Sequence, residues 1–283
     1  MYFIKKNAPR FFVVLLAFGL VACQPDDIVE TVAQEEIDLA MEDATVTATY
    51  DDVEEYTFEA MEVADASLEA RDMTAYQYSI PACATVTHDS VNKTITIDFG
   101  TGCTGPGGKT RSGQIVITYT QRLYIPGASL STTLVNYVVD GHAVEGTKTI
   151  TNVSPNFQAP ISLNVTLVDG QITFPNGDVA SRDADKTYTW MRANRPLNDE
   201  FHVDGNTSGS NRDGVTYTTD ILSTLIFKRK CRRQGIRIPV EGLKEIDKSN
   251  RPVVLLDFGD GSCDHLVTVT VNGNSTVIDV SQQ

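Results

Sequence analysis

Residues 96–110, TIDFGTGCTGPGGKT, hold three patterns that could do chemistry. An Asp-Phe-Gly triplet holds magnesium in protein kinases. A glycine run ending in Lys109-Thr110 has the outline of a phosphate loop. Cys103, between them, could serve as nucleophile, metal ligand or disulfide partner. A kinase also needs a glycine-rich ATP loop, a strand lysine and an HRD catalytic loop, and the chain has none of these. A phosphate loop places four residues between its first glycine and its Gly-Lys pair and then opens a helix. Counting back from Gly108 puts Cys103 where that glycine must stand, and the following SGQIVITYT is strand-like. The glycines read instead as a wide turn that uses positive φ.

The other reactive residue types give no catalytic constellation. Serine and aspartate are plentiful, but there is no GxSxG elbow, and His265, beside Cys263-Asp264, reads as a turn histidine. His88, His142, His202 and His265 stand in no ligand-type spacing with the cysteines, and no CxxC occurs, so zinc is not expected. Asp257, Asp260 and Asp264, and separately Asp204, Asn206, Asn211 and Asp213, make oxygen-rich loops of the kind calcium favours. Neither matches an EF-hand, and side chains bonding their own backbone in Asx-turns explain both. No catalytic residue, metal ligand or cofactor is assigned. A carboxylate pair set only by spatial separation escapes sequence inspection, so an extracellular glycan or peptide hydrolase stands as the alternative reading.

The triplet recurs. Residues 257–263, DFGDGSC, echo residues 98–103, DFGTGC, and both follow and precede alternating apolar runs. The chain therefore reads as a degenerate duplication built on two strand–turn–strand corners. Four cysteines besides Cys23 allow three pairings. Equivalence of the two halves selects Cys83 with Cys103 and Cys231 with Cys263, each expected to staple neighbouring strands in an oxidising compartment.

The elements around these residues fall into two textures. Of the acidic residues, 17 lie between Gln24 and Asp72 with one base, Arg71; the remainder of the chain after Asp72 holds 20 acids and 19 bases. The net charge of −14 thus belongs to the N-terminal part. No basic face fits nucleic acid. The run Lys228-Arg229-Lys230-Cys231-Arg232-Arg233 reads as a solvated edge that discourages strand pairing, with a polyanion contact as its functional counterpart. Val46, Tyr50, Val53, Thr57, Ala60, Ala64 and Leu68 recur at helical spacing, which predicts a helix laying an apolar stripe on the domain with its acids solvated. Thr45, Thr47 and Thr49 are weak helix formers and invite a break. Tyr50, Tyr56, Tyr76 and Tyr78 read as packing residues. After residue 72, runs of β-branched and aromatic residues alternate with period two. The dipeptides Asp140-Gly141, Asp169-Gly170, Asn176-Gly177, Asp213-Gly214 and Asn272-Gly273 separate them as hairpin turns.

At the start of the chain, Lys5, Lys6 and Arg10 precede an apolar run too short to span a bilayer, and Leu20-Val21-Ala22-Cys23 closes it. This resembles the lipobox of bacterial lipoproteins, which implies cleavage after Ala22 and lipidation of Cys23. Acids at Asp26 and Asp27 resemble the export signal that sends lipoproteins of the Bacteroidota to the outer face of the outer membrane. With HAVEGTKTITN, GNTSGSNRDGVTY and LLDFGDGSCDHLVTVTVNG, the whole pattern resembles a family of uncharacterised outer-membrane lipoproteins of the Bacteroidota. That family implies location and architecture and carries no activity. Its turn after the first corner is of Asp-Gly-Arg type; Gly105-Pro106-Gly107-Gly108-Lys109 stands here, so the resemblance implies no anion or metal role for it.

The expectation is a mainly β chain, with antiparallel sheet(s) of sequential hairpins and an N-terminal acidic α-helical segment. Residues 1–22 read as signal peptide, 23–33 as acidic tether, 34–72 as helical segment and 73–283 as β-rich domain. The expected role is non-enzymatic binding or structure at the envelope surface. The membrane is contacted through a lipid on Cys23, and a glycan or an envelope protein is the expected partner class.

Overall fold

Alternating β-branched residues after residue 80 form strands that pair with their neighbours in sequence, because tight turns bring consecutive strands together before anything more distant can compete. The computed structural model describes Tyr2 and residues 32–69, 80–105, 108–249 and 251–281, with helix side chains as far as Met61. Cys23, the expected signal peptide, Tyr76 and Tyr78 lie outside the described residues.

Helix α1 spans Gln34–Glu69. The strands are β1 Thr85–Asp89, β2 Thr94–Asp98, β3 Cys103–Thr104, β4 Thr110–Tyr119, β5 Ser129–Val139, β6 His142–Asn152 and β7 Ile161–Thr173. They continue with β8 Val179–Met191, β9 Glu200–Ser210, β10 Thr216–Lys228, β11 Glu241–Lys248, β12 Val254–Asp260, β13 Leu266–Val271 and β14 Asn274–Asp279. A short helix, α2 Arg229–Arg232, follows β10. All strands belong to one 14-stranded antiparallel sheet in sequence order, with β3 paired only to β4.

The sheet is curled around α1. The helix meets β2 and β4 near one end of the strand order and β12 and β13 near the other. Every residue from Asp51 to Met61 is buried, so three helical turns are covered on all sides. This corrects the expectation of one apolar stripe and a solvated acidic face. The strands present bases inward. Arg111, Lys148, Arg182, Lys244 and Lys248 are buried at inward positions of β4, β6, β8 and β11, among apolar residues such as Ile117, Ile150 and Ile246. An acidic helix is stable there because a buried charge must find an opposite one.

The helix also runs unbroken through Thr45, Thr47 and Thr49. Thr45 and Thr49 each donate a hydroxyl to the carbonyl one turn back, Met41 and Thr45 respectively, so the buried hydroxyls are satisfied without breaking the helix.

Curling needs bends, and one of them corrects a turn assignment. Asp169-Gly170 does not end a strand; it is a bulge inside β7, which continues to Thr173. Gly146 of β6 faces Gly170, and a Cβ on Gly170 would lie 2.2 Å from the Arg182 carbonyl oxygen and 2.9 Å from Tyr50 Oη. The missing side chains let Tyr50 of α1 donate to the carbonyl oxygens of Glu145 (2.9 Å) and Gln171 (3.3 Å). The remaining turn dipeptides do connect strands; Asp140-Gly141 and Asn272-Gly273 both adopt positive φ at each position, the signature of a type I′ hairpin.

Disulfides join Cys83 to Cys103 and Cys231 to Cys263. They do not simply staple adjacent strands. Cys83 stands in the turn before β1 and Cys103 opens β3, whereas Cys231 belongs to α2 and Cys263 to the β12–β13 turn. The two Asp-Phe-Gly corners repeat one local geometry. The Gly100 and Gly259 amides donate to Asp98 and Asp257 at 2.8 and 2.9 Å, and Phe99 and Phe258 are buried.

Candidate functional site

The interior of the curl is committed to structure. Asp52 of α1 is fully buried and takes two bonds from Arg111, at 2.8 and 2.6 Å, and one from Tyr137 at 3.1 Å; Arg237 lies 3.3 Å away. Asp43 lies between Arg182 and Lys244, Glu54 meets Lys148, Asp51 meets Arg232, Glu55 meets Arg237, and Glu36 meets Lys248. Burial alone would raise the pKa of Asp43, but Lys244 and Arg182 outweigh it and hold it at about 2. For Asp51 burial prevails over Arg232, and Glu54 adds repulsion, so its pKa is raised. The cavity beside α1 amounts to about 40 Å³ and is lined by Asp51, Glu54, Lys148 and Lys186 among others, room for a water or two and not for an apolar ligand.

Arg232 corrects the reading of the basic run as a solvated edge. It is buried against Asp51, with its guanidinium 5.1 and 5.4 Å from the ring centres of Phe227 and Phe201, while Lys228 donates to the Gly261 carbonyl at 2.8 Å. The first oxygen-rich loop consists of Asx-turns, and the second is not one loop: Asp204 and Asn206 lie within β9, and only Asn211 and Asp213 are in the β9–β10 turn. Asp257, Asp260 and Asp264 accept from the backbone amides of Gly259, Ser262 and Leu266, and Asn211 accepts from those of Asp213 and Val215. Among the described residues no group of three or more His, Cys, Asp or Glu is placed to hold a metal ion. Tyr50 and Tyr56 are buried packing residues.

On the outside, the described surface has a shaped, chemically mixed feature. Three connections gather at one end of the sheet: residues 120–128 between β4 and β5, 153–160 between β6 and β7, and 192–199 between β8 and β9. They bound an open groove of about 460 Å³ whose lining includes Tyr124, Asn156, Phe157, Gln158, Trp190 and Arg192. Phe157 is 68% exposed and Tyr124 39%, which is unfavourable in water unless a partner covers them.

The groove is held in shape from below. Trp190, on β8, stacks on Phe201 of β9 at 5.6 Å, and Phe201 stacks on Phe58 of α1 at 5.3 Å. Its indole N–H donates to Asp199 at 3.0 Å, and the other Asp199 oxygen accepts from the Ala193 amide at 2.8 Å. The Arg192 guanidinium lies 5.4 Å from the Trp190 ring centre, a cation–π distance. Asn152 ties two of the connections together, donating to the Leu123 carbonyl at 2.7 Å and accepting from the Ser154 amide at 2.9 Å. Asn156 caps its own loop through the amides of Gln158 and Ala159. Arg122 donates to the Tyr124 hydroxyl at 2.9 Å.

Among the lining residues Arg192 alone carries a full charge, and no carboxylate is present to move a proton. Aromatic faces, primary amides and one guanidinium suit a ligand with apolar ring faces and many hydroxyls. In the sequence Trp190 stands out only as the lone tryptophan, and Tyr124 and Phe157 carry no signal because separate loops bring them to it. No family model, curated protein or solved structure matches this chain.

Proposed function

We propose that this chain is a lipid-anchored, non-enzymatic binding component of a bacterial outer membrane, exposed at the cell surface, and that the Trp190 groove is its contact site for a glycan. The observation that carries the reading is the aromatic floor, exposed Tyr124 and Phe157 beside the braced, half-buried Trp190, flanked by Asn156, Gln158 and Arg192. Location rests on the Cys23 lipobox and the acids behind it. Two disulfides agree with an oxidising compartment. No described helix is long and apolar enough to cross a membrane, and lipid on Cys23 would supply the attachment.

Binding is tested by presenting the protein to immobilised envelope and host-type oligosaccharides beside Phe157→Ala and Tyr124→Ala. Both side chains are exposed, so both variants should fold. Each should weaken retention about tenfold, the loss of roughly 1–2 kcal/mol of ring stacking. Retention that is equal in all three proteins would remove the groove from the proposal. Cys23→Ser should release the chain from membranes, and attachment that persists without lipid would remove the anchor.

A further inference from the structure

The curled sheet leaves a seam. Near it, the Lys109 turn and the β5–β6 turn come close to residues 235–238 of the α2–β11 connection and to the flanks of β13 and β14, with the first half of α1 behind them. A cavity of about 90 Å³ lies there, lined by Lys109, Asp140, His142, Arg237 and His265 and walled by small or apolar residues such as Ala48. Two features of the sequence that the proposed function leaves unused, the Gly108-Lys109-Thr110 run and His265, thus meet at one place.

We propose that this seam cavity binds a small oxyanion, a phosphate or the terminal phosphate of a monoester, through Lys109, His142, Arg237 and His265. The site differs from a phosphate loop, since side chains from four parts of the chain do the work and no helix N-terminus faces it. Its lining carries two full positive charges, Lys109 and Arg237, against one acid. Asp140 is the only acid in the lining; one oxygen accepts from the Thr110 amide at 2.8 Å and the other lies 3.9 Å from the Lys109 ammonium. Behind the lining, Asp52 and Glu55 already offset the charge of Arg237, so Lys109 and the two imidazoles carry most of the attraction for a ligand. Asp52 is held by Arg111 and Arg237, Glu55 by Arg237, and Asp279, near His265, accepts from the Ser281 amide at 2.8 Å. The helix wall adds no charge, because its lining residues are Ala44, Thr45, Ala48 and Thr49.

The Lys109 ammonium is disfavoured where it stands. Burial, joined by the charge of Arg237, lowers its pKa even though Asp52 and Asp140 pull the other way. An anion in the cavity would relieve that strain and accept from the ammonium, the guanidinium and the imidazole N–H groups, bonds of the charge-assisted kind.

The test is calorimetric titration of the full chain in detergent, at constant ionic strength, with inorganic phosphate and separately with glucose 1-phosphate. Saturable one-to-one binding is expected, with Kd of about 1 mM. Lys109→Gln, which keeps the stem and removes the charge, and His265→Ala should each weaken it about tenfold, the worth of one charge-assisted bond. Lys230→Ala, at an exposed position of α2 away from the cavity lining, should leave it unchanged. Binding of both ligands supports a site for a phosphate carried on a larger molecule; binding of inorganic phosphate alone supports a site for the free ion. No saturable binding of either ligand would overturn the proposal. So would a folded Lys109→Gln or His265→Ala variant that binds as tightly as the unaltered chain.

Discussion

Asp52 is the residue on which most of the interior converges, with Arg111, Arg237 and Tyr137 all directed at one fully buried carboxylate. Such a group gives little net stability by existing, because its desolvation offsets the attraction, yet removing its charge strands the partners. Asp52→Asn keeps the shape but strands the buried Arg111 and leaves Arg237 with Glu55 alone, so it should cost about 3–5 kcal/mol, read as a lowered urea midpoint. A loss below about 1 kcal/mol would mean that water reaches Arg111 and Arg237. Asp43 sets a pH dependence. Its folded pKa is about 2, against about 3.9 in an unfolded chain. The unfolded state therefore takes up the proton first as pH falls. The stabilisation is complete above about pH 4 and disappears between about pH 4 and pH 2, an effect of roughly 2 kcal/mol. Urea midpoints between pH 7 and pH 2.5 should fall for the unaltered chain and fall less for Asp43→Asn. Parallel curves would show that Asp43 is not the group titrating.

At the scale of elements, the pleat and its bulges decide the shape. Gly170→Ala places a Cβ against the Arg182 carbonyl and the Tyr50 hydroxyl, where backbone cannot yield, and should cost about 3 kcal/mol, the upper end of overpacking. Gly177→Ala, in the β7–β8 turn, meets open space but has φ of +91°, and should cost about 1 kcal/mol from backbone strain. Thermal unfolding that ranks the two the other way would remove the bulge from its role in seating Tyr50. The same elements show what the sequence discloses. Strands and most turns were legible because alternation and Asn-Gly or Asp-Gly pairs are local signals. Asp169-Gly170 misled because a bulge and a turn call for the same dipeptide. The enclosure of α1 was not read, since an acidic helix considered alone looks solvated. Its clue lay elsewhere, in Lys244, Ile246 and Lys248, which period-two alternation puts on one face of β11 with charge where core belongs. The groove left almost no local trace, because two loops and strand β8, each 30 residues or more apart in sequence, bring Tyr124, Phe157 and Trp190 together only in the fold.

The whole molecule depends on the match between an acidic core helix and a basic sheet lining. Glu36, Asp43, Asp51, Asp52, Glu54 and Glu55 each meet a base carried by the sheet or by the α2 region. A sheet without the helix would hold Arg111, Lys148, Arg182, Lys244 and Lys248 around an empty centre, with no counter-charge and no apolar filling. Neither the disulfides nor the hairpin turns can compensate. Each disulfide closes a loop of 20 or 32 residues, worth about 3–4 kcal/mol, while every unpaired buried charge costs several. Residues 80–283 expressed alone should therefore give no sheet signal by circular dichroism and no cooperative melt. Adding a peptide of residues 24–70 should restore both, saturating at one peptide per chain, because the helix carries the complementary charges and needs no particular connection to deliver them. Cooperative folding of residues 80–283 without the peptide would show that the sheet closes on its own apolar residues, and that the ion pairs select the helix without holding the fold together.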